Sequence, residues 1–107
     1  MKINVRNEVV EIENGTYNVV IDEIFQYNEN NICMKFSILN DPKNMIFVQF
    51  LPIEKLGSYP WINVFKALET NDTDDLIGHT FKIEVVNNKS KTTGKEFCNI
   101  KKVTVVE

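Results

Sequence analysis

With one histidine, two cysteines and four isolated glycines in 107 residues, the chain has few of the parts from which catalytic sites are built. A metal centre based on a histidine pair, or a Ser-His-Asp arrangement, would have only His79 to use, and its place beside Gly78 at a strand entrance suits a solvent-facing turn residue. Gly15, Gly57, Gly78 and Gly94 stand too far apart to form a phosphate-cradling loop. The acidic run Asp72-Thr73-Asp74-Asp75 resembles the start of a calcium loop, but the glycine and glutamate needed further on are replaced by Ile77 and Ile83. It reads as an acidic loop after a helix. No spacing selects a pair of carboxylates for acid–base work. The expectation is a protein that is not an enzyme and uses no metal or cofactor.

Long apolar runs are also missing. No segment approaches the roughly 18 consecutive apolar residues of a membrane helix, and Met1-Lys2-Ile3-Asn4-Val5-Arg6 meets charge instead of a signal-peptide core. The expectation is a soluble, cytoplasmic protein with no membrane association and with Cys33 and Cys98 as reduced, buried side chains. A length of 107 residues and an apolar share of 43% suit a single domain with one core, spanning residues 1–107.

Positive charge is scarce overall but concentrated. Residues 1–81 hold six Lys/Arg against twelve Asp/Glu, whereas residues 82–107 hold six lysines against three glutamates. The net charge of -3 is thus the sum of a -6 portion and a +3 portion. A phosphate approaching within a Debye length of ~8–10 Å responds to the local patch more than to the total.

Alternation in Gly15–Asp22, with Tyr17, Val19 and Ile21 on one parity, marks a half-buried strand, and the slip of that parity to Ile24 predicts a β-bulge. Tyr27–Asn31 is a polar turn, and Ile32, Met34, Phe36 and Ile38 alternate in a second strand that forms a hairpin with the first. Asn40–Asn44 is a turn by composition, and Met45–Leu51 is a third strand, apolar at nearly every position and so covered on both faces or bearing a binding surface. Ser58 is positioned to cap a helix with Pro60 in its first turn, running from Trp61 to Glu69. Trp61, Val64, Phe65 and Leu68 share one helical face and read as core. Phe81, Ile83 and Val85 mark a fourth strand, Lys89–Lys95 a lysine-rich turn, and Phe97–Val106 a fifth strand. Ile3, Val5, Val9 and Ile12 make Met1–Ile12 a candidate extra strand or arm.

Three strands, a helix and two strands is the order of the five-stranded oligonucleotide-binding (OB) barrel, so the expected class is mostly β. Such barrels bind single strands on the face of strands two and three, between the loops joining strands one to two and four to five. Those positions here supply Tyr27 in the first loop, Lys35, Phe47 and Gln49 on the sheet face, Lys89, Lys91 and Lys95 in the second loop, and Lys82 and Lys101 in its flanking strands. Lysines give salt-dependent, sequence-tolerant affinity for phosphates, and an exposed ring stacks on any base. The parity of the third strand stays open: one register exposes Phe47 and Gln49, the other buries Phe47 and exposes Phe50.

The run Gly15-Thr16-Tyr17-Asn18-Val19-Val20-Ile21, the helix near Trp61–Leu68, the segment Asp75-Leu76-Ile77-Gly78-His79-Thr80-Phe81-Lys82-Ile83-Glu84-Val85 and the closing Phe97, Ile100 and Val103 resemble small OB-fold proteins of bacteriophages and mobile elements, described as single-stranded-DNA-binding-like. The similarity covers most of residues 15–106. Members usually carry lysine or arginine where His79 stands, and many have an acidic tail not seen at Glu107. The resemblance implies non-enzymatic binding of single-stranded DNA with little sequence preference, in phage or mobile-element replication or recombination. The alternative is an interaction module that engages a host or replication protein through the acidic portion. Self-association through strand edges is compatible with both.

Overall fold

A computed structural model describes residues 8–89, 94 and 96–106. The parity slip near Asp22 shapes its longest strand. Glu8–Val9 form β1, Gly15–Gln26 β2, Asn31–Ile38 β3 and Ile46–Pro52 β4; Trp61–Ala67 form helix α1, followed by β5 over Thr80–Lys89 and β6 over Glu96–Val105. The protein is mostly β, with a six-stranded sheet ordered β1-β4-β3-β2-β5-β6 and a single α-helix among the described residues. The register of β2 against β3 shifts between Ile21 and Glu23, at the expected bulge. With that bend, β2 pairs with β5 through Gly15–Val20 and with β3 through Val19–Gln26.

Inward parity builds one core. Val19 and Ile21 of β2, Ile32, Met34 and Phe36 of β3, and Phe81, Ile83 and Val85 of β5 are buried together with Trp61 and Val64 of α1. The Trp61 ring stacks on Phe36 at 6.3 Å between centroids, and Phe65 and Leu68 pack against the same cluster, so the helical stripe is core. The helix begins differently from expectation. Ser58 makes no side-chain cap; its carbonyl accepts from the Ile62 N–H, Pro60 occupies the cap position, and the helix ends at Ala67. Beyond it, Asp72 accepts from the Asp74 N–H at 2.9 Å and Thr70 donates to the Asp75 carboxylate, so the acidic loop is folded on itself.

The largest departure concerns closure. The expectation is a five-stranded barrel, whereas the sheet is open, and the candidate extra N-terminal strand adds a sixth member to it. β1 lies parallel to β4, pairing Glu8 with Ile46 and Val9 with Phe47, and so takes part of the edge a closing strand would use. Further along, β4 meets β6 through a side chain, the Gln49 Nε2 donating to the Cys98 carbonyl at 3.4 Å. The segment after β1 secures the junction. Ile12 is buried, and its carbonyl accepts from the Asn87 Nδ2 at 2.8 Å, while the Asn14 Oδ1 accepts from the Asn87 N–H at 2.7 Å. Of the Met1–Ile12 arm, Glu8–Val9 form a strand and residues 1–7 lie outside the described residues.

Candidate nucleic-acid interface

The outward parity of β2, β3 and β4 carries the aromatic rings. Phe25 lies opposite Cys33, and Cys33 opposite Phe50, so Phe25 and Phe50 flank a buried thiol across three strands. Phe25 is 39% exposed, Phe50 48% and Tyr27 61%. Tyr27 meets Phe50 edge-on at 5.1 Å between centroids. The resulting row of rings sits at the end of the sheet nearest the β2–β3 turn.

That turn is well ordered by its own hydrogen bonds. The Asn28 Oδ1 accepts from the N–H groups of Asn30 and Asn31 at 2.9 Å each, the Tyr27 N–H donates to the Asn31 carbonyl at 2.9 Å, and the Ile53 N–H donates to the Asn30 carbonyl at 2.8 Å. Such side-chain-to-backbone bonds fix a turn without a glycine. Tyr27 is thus placed by a hydrogen-bonded turn.

Phe47 is not part of this surface. It is fully buried, stacked on Phe36 at 6.0 Å, and its inward parity also turns Gln49 toward the seam with β6. The other register is the one present, with Phe50 as the outward ring. Both parities are apolar because both faces are covered: Cys33, Ile46 and Val48 form a second small buried cluster on the outward side.

Lys35 lies on the outward face, but its charge is compensated. Its Nζ is 2.8 Å from the Glu8 carboxylate and 4.0 Å from that of Glu23, and it stands over the Phe25 ring at 5.9 Å. The hydrogen bond to Glu8 pushes its ammonium above the usual value. Asp22, which accepts from the Ser37 hydroxyl, adds negative charge to the same face. A phosphate at Lys35 would compete with two carboxylates.

Lys82 stands elsewhere. It pairs with Asn18 of β2 and Thr104 of β6, and with Glu84 and Lys102 it lines a shallow groove of about 360 Å³ beyond the aromatic row. Asn18 and Phe25 are seven residues apart on β2, on the order of 20 Å along a strand. Lys101 is exposed at the register shift in β6. Lys89 ends β5 by its backbone, while Lys91 and Lys95 lie outside the described residues. Of the nine residues read as a site, the structure brings Tyr27 and Lys35 to the aromatic face and puts Phe47, Gln49, Lys82 and Lys101 elsewhere.

Sequence reasoning passed over Phe25 and the groove beside Phe50. The parity slip at Asp22 was the available signal for Phe25, because a bulge reverses which later residues face outward. The groove, about 260 Å³, lies between β4 and β6 and is walled by Phe50, Tyr59, Lys55, Gln49 and Asn99. A wider apolar groove of about 800 Å³ runs between the turn Ile53–Gly57 and α1, with Lys66 and Glu69 at its rim.

No protein-family model matches the chain, and no curated protein matches it either.

Proposed function

We propose that this protein is a non-enzymatic single-stranded-DNA-binding module built on an OB-like sheet, of the phage or mobile-element kind it resembles. The observation that carries the reading is the exposed row of Phe25, Phe50 and Tyr27, on the sheet face and turn where OB barrels take single strands. Each ring offers a face to an unstacked base, worth ~1–3 kcal/mol per base with little regard to its identity. Strands β2 to β6 with α1 between β4 and β5 follow the OB order, and the junction between β4 and β6 is where that barrel would close.

Duplex competition tests it. Bases in a duplex are already stacked and cannot lie on the rings, so a single strand is expected to bind at least tenfold more tightly than a duplex of equal length. Equal affinity would contradict a stacking mechanism.

A second reading has its own observation. Glu8, Asp22 and Glu23 surround Lys35 on the same sheet face as the rings, and an aromatic surface edged by carboxylates also suits a basic protein segment. Failure of every oligonucleotide to bind, with recovery of one protein in a pull-down that Glu23→Lys abolishes, would favour it.

A further inference from the structure

The seam that leaves the sheet open has its own chemistry. Its groove is lined by two residues with primary amides, Gln49 of β4 and Asn99 of β6, by two exposed aromatic residues, Phe50 and Tyr59, and by Lys55. We infer that this groove reads one unstacked nucleobase, with Asn99 and Gln49 hydrogen-bonding its edge and Phe50 and Tyr59 contacting its faces. The inference rests on the single-strand reading above and departs from it in one respect, since it gives the protein a base preference.

Several observations converge on it. A primary amide carries an acceptor and donors side by side, the pattern that matches the donor–acceptor edge of a base, which is how Asn and Gln serve in nucleic-acid recognition. Gln49 uses one N–H on the Cys98 carbonyl at 3.4 Å, which orients the amide and leaves its Oε1 and second N–H for a ligand. Asn99 is exposed on β6, opposite Val86 of β5. Tyr59 is 60% exposed and Phe50 48%, and Phe50 is also the ring that Tyr27 meets, so the groove continues the aromatic row. A volume of about 260 Å³ lies just below the ~300–1,000 Å³ of pockets that take drug-sized ligands, which suits a single ring system. Lys55, which also lines the groove, suits the phosphate of the same nucleotide.

The test is competition by unlabelled ~12-nucleotide homopolymers of dT, dC and dA against a labelled single strand, with the wild-type protein, Asn99→Ala and Tyr27→Ala. The wild type is expected to separate the best from the worst homopolymer by at least roughly fivefold. Asn99→Ala, a surface change checked by an unaltered melting temperature, is expected to compress that ratio to within about twofold, whereas Tyr27→Ala weakens all three alike. Because differences in self-stacking among the homopolymers persist in the variant, a ratio that survives Asn99→Ala overturns the inference. So does a wild type that binds all three within about twofold while still binding, which leaves the single-strand reading standing. Binding of none of them overturns both.

Discussion

Two aromatic residues of β4 have opposite roles. Phe47 is fully buried against Phe36, whereas Phe50, three residues later, stands outward against Tyr27. Phe47→Ala is therefore expected to destabilise the fold by ~3–5 kcal/mol, read as a shift in the urea midpoint, with no specific effect on binding beyond unfolding. Phe50→Ala and Tyr27→Ala should each weaken oligonucleotide binding by ~1–3 kcal/mol while leaving the midpoint nearly unchanged. The reverse pattern would mean that Phe47 faces outward and Phe50 inward. Titration offers a further check. Burial pushes the Cys33 and Cys98 thiols above their usual 9.0, and burial pushes Tyr17 above its usual 10.0. Each folded-state value is raised, so each group favours the folded protein fully below its unfolded value, and that contribution is lost as pH climbs toward the folded value. Thermal stability is expected to be flat with respect to these groups up to about pH 8.5 and to fall above about pH 9, with a smaller fall in Cys33→Ala. An alkaline fall of equal size in that variant would remove Cys33 from the explanation.

At the scale of elements, the segment from β1 to β2 holds the junction of β4 with β5 and β6. Asn14 and Asn87 provide its hydrogen bonds, and Ile12 provides its buried apolar contact. Asn14→Ala removes the acceptor of the Asn87 N–H and is expected to cost ~1 kcal/mol, measured by urea denaturation. What was legible in the sequence follows the same division. The bulge in β2 was readable because Val19 and Ile21 share a parity that Ile24 breaks, and the α1 face was readable because Trp61 and Val64 recur at helical spacing. The register of β4 was not, because Ile46, Phe47, Val48, Phe50 and Leu51 are apolar on both parities and two clusters cover both faces. The pairing of β1 was hidden for a different reason: two residues of parallel strand leave no periodicity, and Glu8 is placed by its ion pair with Lys35.

At the scale of the whole molecule, lysines and carboxylates stand side by side among the described residues. Lys35 is held by Glu8 and Glu23 beside the rings, while Lys82 and Lys102 share a groove with Glu84 on other strands. On the single-strand reading proposed above, affinity is expected to rest more on stacking at the described rings than on the described lysines. The candidate site was legible as a region, through Tyr27 and the sheet face, but not as a constellation, because the bend at Asp22 and the open seam decide which side chains meet. The most direct test of this account is fluorescence anisotropy of a labelled ~30-nucleotide oligo-dT, titrated with the wild type and with a Tyr27→Ala/Phe50→Ala double variant at low and high salt. The account predicts micromolar or tighter binding at low salt, a log–log salt slope of about -0.7 for each phosphate contacted, and a double variant weakened at both salts with the slope retained. Absence of binding at low salt, or a double variant that binds as tightly as the wild type, would contradict it.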